Sequence, residues 1–306
     1  MNSAESFQVV IVGGGPAGMS AGLWCAELGI EAIVIESGAE LGGQLLSIHN
    51  PISNYLGIQT KNGRELHDRF VQHFEMRDVA MRLRSNVEQF DPVRRSLRMR
   101  SGDEFHFKYL VIATGVRRRS LGVQGENGFL GKGMLESGAK DKLVTTGKRV
   151  AVVGGGDAAL ENSLILSDHA LKVVVVHRGD HFSARPEFVE EARSRQNVEL
   201  RMNSQIVAIR GNEKIDSVIV RGPSGQQQIE MDYLLIRIGV TPNSELFSEQ
   251  VECDELGYIL VDSNCRSSNP HIYAVGDVAN PVSPTISTAV GMGSTAAKSI
   301  GKSSDL

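Results

Sequence analysis

Residues 7–18 read Phe7-Gln8-Val9-Val10-Ile11-Val12-Gly13-Gly14-Gly15-Pro16-Ala17-Gly18. The β-branched apolar run predicts a buried parallel strand, and the helical stretch that follows, through Leu28, places G-x-G-x-x-G between strand and helix. Each glycine then has a task. Gly13 makes the tight turn, Gly15 lets the backbone approach a pyrophosphate, and Gly18 lets helix and strand pack closely. The helix start, at Pro16 and Ala17, offers a positive dipole end and, from Ala17 onward, free N–H groups to the phosphates. A second strand, Ala32–Ile35, ends at Glu36, which lies 36 − 13 = 23 positions past the first glycine, where a carboxylate accepts hydrogen bonds from a ribose.

The pattern recurs. Arg149–Val153 predicts a strand, Gly154-Gly155-Gly156-Asp157-Ala158-Ala159 supplies G-x-G-x-x-A, and a helix through Ser167 leads to the strand Lys172–Val176. At the same offset, 177 − 154 = 23, stands His177, followed by Arg178. A carboxylate there would repel a 2′-phosphate, whereas Arg pairs with it through charge-assisted bonds. The first unit therefore predicts an FAD site and the second an NADP(H) site.

Further along, Tyr109-Leu110-Val111-Ile112 delivers the small-residue turn Ala113-Thr114-Gly115, and Ile272-Tyr273-Ala274-Val275 ends at Gly276-Asp277. Ligands of open parallel sheets collect at strand carboxyl ends, so Asp277 is placed to hold a sugar hydroxyl. Residues 285–298 have helical character, with Thr285 and Ile286 at the end whose partial positive charge would face a flavin. Residues 81–107 and 199–221 alternate apolar and charged side chains and predict two small antiparallel insertions. The fold class is α/β, with two Rossmann-like three-layer nucleotide-binding domains, the second inserted into the first.

Composition bounds the rest. With 306 residues, 41% hydrophobic and a net charge of −4, the chain predicts two globular domains with no footprint for nucleic acid. No apolar run spans a membrane, and residues 1–8 are too short and polar for a secretory signal, which predicts a cytoplasmic protein. The three cysteines, Cys25, Cys253 and Cys265, form no C-x-x-C and no zinc spacing, so no metal is expected. The run Arg117-Arg118-Arg119 suits either a solvated domain crossing or a docking point for an acidic electron carrier.

Taken together, these residues resemble the low-molecular-weight thioredoxin reductase family over essentially the whole chain. The match rests on residues 13–18, Glu36, Gly42-Gly43-Gln44, Asn54-Tyr55-Leu56-Gly57, Ala113-Thr114-Gly115, residues 154–159, His177-Arg178 and Gly276-Asp277. The resemblance implies an FAD domain from residues 1–116 and 243–306, an NAD(P)H domain from residues 117–242, and a homodimer formed through the FAD domains. It also implies that Gly43 and Gln44 pass the flavin, that Asn54 makes a polar contact near the isoalloxazine, that Asp277 binds the ribitol and that the Val87 backbone meets adenine.

Two departures matter more than the match. Where the family carries Cys-x-x-Cys-Asp, this chain reads Ser137-Gly138-Ala139-Lys140-Asp141, and a hydroxyl with an ammonium cannot cycle between dithiol and disulfide. Where the family's nucleotide signature has His-Arg-Arg and a later Arg, this chain keeps Arg178, loses one Arg to Gly179 and another to Ser183, and offers Arg185 as compensation. The expectation is an FAD-dependent NAD(P)H oxidoreductase, NADPH preferred and NADH possible, that passes electrons to ferredoxin or flavodoxin without a protein acid, base or nucleophile. The alternatives are a small-molecule oxidoreductase with Ser137, Lys140 and Asp141 lining its pocket, or a non-catalytic flavin-binding redox sensor.

Overall fold

A computed structural model describes residues 4–303. The chain divides into two compact units, one made of residues up to Arg117 and from Thr241 onward, the other of Arg118–Val240. The division falls one residue after the expected first cut and two before the expected second.

The first unit opens with β1 (Ala4–Val12), α1 (Pro16–Glu27), β2 (Ala32–Ile35), α2 (Gly63–Glu75) and β3 (Ala80–Arg82). It continues through β4 (Val87–Asp91), β5 (Ser96–Met99), β6 (Glu104–Ile112) and β7 (Val116–Arg118), where the chain leaves it. β1 runs parallel to β2 on one side and to β6 on the other, with Val12 opposite both Ile35 and Ile112. Alternation divides the side chains of β1 between two cores. Val9 and Ile11 join the helix-side cluster, and Val10 and Val12 join a cluster with Phe105 and Phe107. All four are buried, and each such side chain contributes about 1.5–3 kcal/mol.

The second unit holds β8 (Met134–Leu135), α3 (Gly138–Asp141), β9 (Arg149–Val153), α4 (Asp157–Ser167), β10 (Lys172–Val176), α5 (Pro186–Ser194) and β11 (Val198–Arg201). Then come β12 (Gln205–Gly211), β13 (Ile215–Gly222), β14 (Gly225–Glu230) and β15 (Tyr233–Ile236), and β16 (Val240–Pro242) carries the chain back to the first unit. Its sheet has the order β11-β10-β9-β15-β8, and every pairing in it is parallel. Val150, Val152, Val173 and Val175 pack with helix residues such as Leu160 and Ala192. Ala151, Val153, Val174 and Val176 pack with Ile206, Val218 and Val220 of the β12-β13-β14 meander. Back in the first unit, β17 (Ile272–Ala274) pairs with β6, and α6 (Ile286–Ile300) lies against α1.

Three expectations need correcting. The stretch from residue 81 is not wholly an insertion, because Met81 belongs to β3, a parallel neighbour of β2. The β4-β5-β6 meander is also continuous with the main sheet, since β6 pairs with β5 in one direction and β1 in the other. In the second unit, residues 199–201 belong to parallel β11, and the meander runs on to Glu230. The first helix ends at Glu27, with Leu28 as its cap.

Candidate nucleotide-binding sites

In the first unit the glycine turn is fixed by crowding. Gly13 has φ +108°, and a Cβ there would lie 2.3 Å from the Ala113 carbonyl oxygen; a Cβ on Gly18 would lie 1.9 Å from the Gly13 oxygen. Gly15 is different: its nearest neighbour, Gly43 Cα, is 3.9 Å from such an atom, which leaves the backbone open to a ligand. Glu36 secures the turn, because its Oε2 accepts from Gly14 N at 2.7 Å and its Oε1 from Gly38 N at 2.6 Å.

Around this turn lies a cavity of about 540 Å³. Gly13, Gly15, Pro16, Ala17, Glu36, Gly43, Gln44, Val87, Ala113, Thr114, Gly115, Gly276, Asp277, Thr285 and Ile286 all line it. Two expected residues do not: Gly18 is buried between helix and strand, and Asn54 is exposed in a bend. The Gln44 side-chain amide donates to Asp277 Oδ2 at 2.7 Å, joining residues far apart in the chain. Burial raises the pKa of Asp277 above the usual aspartate value, and the Gln44 bond partly opposes that. At the cavity rim Thr285 caps α6, its hydroxyl accepting from Thr288 N at 3.2 Å. The cradle therefore fits a dinucleotide, with an open glycine, a carboxylate at the strand end, a second carboxylate opposite and a helix N-terminus.

Asn243 also lines the cavity and had not been anticipated. Its Nδ2 donates to the Thr114 carbonyl at 2.8 Å while Thr114 Oγ1 donates to the Asn243 carbonyl at 2.7 Å. Each such bond is worth about 1 kcal/mol. Thr-Pro-Asn after a strand was the available signal, but its partner is 129 residues away in sequence.

The second unit builds its turn by the same crowding with other groups. Gly154 has φ +147°, and a Cβ there would lie 2.0 Å from the Arg237 carbonyl oxygen. The His177 ring takes the place that the Glu36 carboxylate has in the first unit, lying 2.2 Å from where a Cβ on Gly155 would be. His177 Nε2 meets the His181 carbonyl at 2.9 Å, and its ring stacks on Phe182 with centroids 5.2 Å apart. Gly156, Ala158 and Ala159 continue the turn into α4. Arg178 is exposed, with no ion pair or hydrogen bond among the described residues. Arg185, expected beside it, is instead paired with Asp157.

The Ser137–Asp141 segment, expected to stand where the resembled family carries Cys-x-x-Cys-Asp, is a closed turn. Ser137 caps α3, Asp141 Oδ2 accepts from Glu136 N at 2.7 Å and Ser137 N at 2.9 Å, and Lys140 Nζ pairs with Glu136 at 2.5 Å. The cysteines do not make up for the loss. All three are free, and burial pushes the Cys25 thiol up to about 12 and the Cys265 thiol up to about 11. Burial and the neighbouring Asp254 raise Cys253 as well, and thiols held protonated are poor in exchange. Among the described residues no His, Cys, Asp or Glu group is arranged to hold a metal, and no helix is long and apolar enough to cross a membrane.

The arginine run is engaged locally. Arg117 pairs with Glu245 and donates to Asn243 Oδ1 at 2.9 Å, Arg118 donates to the Glu136 carbonyl, and Arg119 Nε donates to the Val240 carbonyl at 2.8 Å.

Comparison with known proteins places this arrangement. Residues 7–293 match the family model for pyridine nucleotide-disulphide oxidoreductases. A thioredoxin reductase of Coxiella burnetii is 33% identical, over 97% of this chain and 96% of that protein. A 34.2 kDa protein in the rubredoxin operon of Clostridium pasteurianum is 28% identical over 97% of both. The solved structure of Lactococcus lactis thioredoxin reductase superposes with a TM-score of 0.84 at 30% identity, covering 97% of this chain and 98% of that one.

Proposed function

The chain belongs to the pyridine nucleotide-disulphide oxidoreductase family and is a flavin-dependent oxidoreductase; within that family we propose that it oxidises NADPH, with NADH as a poorer donor, and passes the electrons to a carrier protein such as ferredoxin or flavodoxin. The observation that carries the reading is the Ser137–Asp141 turn: the nucleotide-binding frame is intact, and the place of the dithiol is taken by a capped helix start with no thiol. Bound FAD supplies the hydride acceptor and the route onward to the carrier.

The residues of the chain bind and orient. Glu36 is placed for the adenosine ribose, Gly15 for the pyrophosphate, Gln44 and Asp277 for the ribitol end, and Thr285 with α6 for the electron-rich end of the flavin. Among the described residues Arg178 has no ion pair and is available to a 2′-phosphate, and one such exposed cation beside the turn fits modest selectivity over NADH. The rubredoxin-operon relative supports a carrier protein as acceptor; the arginine run, occupied by its own neighbours, adds nothing to it. Cytoplasmic location and a homodimer formed through the first unit complete the proposal, the dimer to be checked by sedimentation.

The test is turnover. With NADPH as donor, ferredoxin or flavodoxin is reduced, two one-electron carriers per nucleotide, while thioredoxin disulfide is not. Reduction of thioredoxin at a comparable rate contradicts the proposal. Failure of both nucleotides to bleach the flavin favours the binding-protein alternative.

A further inference from the structure

Asp157 puts a carboxylate on the first residue of α4, directly after the Gly154-Gly155-Gly156 turn. A helix start after such a turn is where a dinucleotide pyrophosphate is held, by free N–H groups and the positive dipole end. A negative side chain there opposes the ligand. In the first unit the same position is Pro16, which carries no charge.

The carboxylate is not left alone. Arg185 N donates to Asp157 Oδ1 at 2.7 Å and Arg185 Nε donates to Oδ2 at 2.9 Å. The guanidinium carbon lies 4.3 Å from the centroid of the Phe188 ring, which fixes the plane of the group from its other side. The segment that carries Arg185 is fastened to the turn as well, since Ser183 N and Ala184 N both donate to the Gly155 carbonyl, at 2.9 and 3.1 Å. Arg185 is thus held by the glycine turn and its acid, while Arg178 remains exposed and unpaired among the described residues.

We propose that Arg185 is a positioning residue of the pyridine-nucleotide site: it neutralises and orients the Asp157 carboxylate so that the turn can accept the pyrophosphate shared by NADH and NADPH, and it is not a 2′-phosphate ligand. The proposal rests on the reading that the second unit binds a pyridine nucleotide. Because the pyrophosphate is common to both nucleotides, the effect of Arg185 is indifferent to the 2′-phosphate, and Arg178 alone separates the two. Asp157 and Arg185 have side chains 47% and 64% exposed, so truncating them leaves the core intact.

The test is calorimetric binding of NAD+ and NADP+, which carry the same phosphates but cannot reduce the flavin, to the flavin-loaded protein, with KM values for NADH and NADPH in parallel. Arg185→Ala weakens both nucleotides by the same factor, about tenfold, and leaves their ratio unchanged. Arg185→Lys restores part of the loss, and Asp157→Asn in the Arg185→Ala background restores most of it, because the unneutralised charge is gone. Arg178→Ala, as the reference, weakens NADPH alone.

Loss confined to NADPH in Arg185→Ala, no loss in either nucleotide, or no recovery in the double variant overturns the proposal. Wild-type protein that binds neither nucleotide overturns the underlying reading instead. Unchanged melting temperatures exclude a folding defect as the cause.

Discussion

The two nucleotide units share a backbone plan and differ in the chemistry placed at equivalent points. Where the first unit brings a carboxylate, Glu36, to the middle glycine of its turn, the second brings an imidazole, His177. After the third glycine of the run the first has Pro16 and the second Asp157, whose charge Arg185 must hold. After the strand beside the glycine strand the first has Ala113 and the second Arg237, whose carbonyl oxygens crowd Gly13 and Gly154 alike, while the first adds Asp277 beyond a further strand, β17. Burial disfavours both charges: Asp277 is raised above the ordinary aspartate value, and Arg237 is lowered to about 10, with the nearby Arg118 adding to the effect. The shared features are those that backbone packing requires, and the differing ones are the side chains set around the two glycine turns. On the proposed function, the shared features make the dinucleotide fold and the differing ones choose the dinucleotide.

The largest break in the comparison is Gly18→Ala. With a Cβ 1.9 Å from the Gly13 carbonyl oxygen, α1 must move off β1, and the protein should lose flavin and more than about 3 kcal/mol of stability. Denaturant melts and the flavin-to-protein absorbance ratio report both losses.

Asp277→Asn sharpens the comparison at intermediate size. A carboxyl whose pKa is raised by folding contributes stability at low pH that is lost as pH rises through the folded value, so the buried carboxylate is a cost at pH 7. The flavin-free variant should melt higher than wild type at pH 7, with the difference vanishing under acid, while its flavin affinity falls. A lower melting temperature at pH 7 refutes the assignment.

The smallest effect is Ala159→Gly, the second unit's counterpart of position 18. It removes a methyl group that the second turn already accommodates and should cost about 1 kcal/mol, from helix propensity and lost packing, with nucleotide affinity unchanged.

The glycine turns, their flanking strands and Glu36 were legible because each is a local pattern whose physics closes within about thirty residues. The pairing of Asn243 with Thr114 was not, since nothing near either residue names the other. β3 was hidden because three residues are too few for alternation to be told from parallel burial. Spacing alone suggests Arg185 as a nucleotide ligand, because it shows that a cation is near a site but not that Asp157 already holds it. The loss of the dithiol was plain from residue identity at 137 and 140. Only the structure shows that the segment closes into a capped turn and that none of the three cysteines is an activated thiol.

That last point decides the account, and the electron capacity of the protein measures it most directly. In an anaerobic titration with NADPH, followed by flavin absorbance, bleaching should be complete at about one equivalent per flavin, the two electrons that the cofactor alone accepts. A requirement for about two equivalents, with new free thiols appearing as the flavin is reduced, would reveal a redox-active disulfide and contradict it.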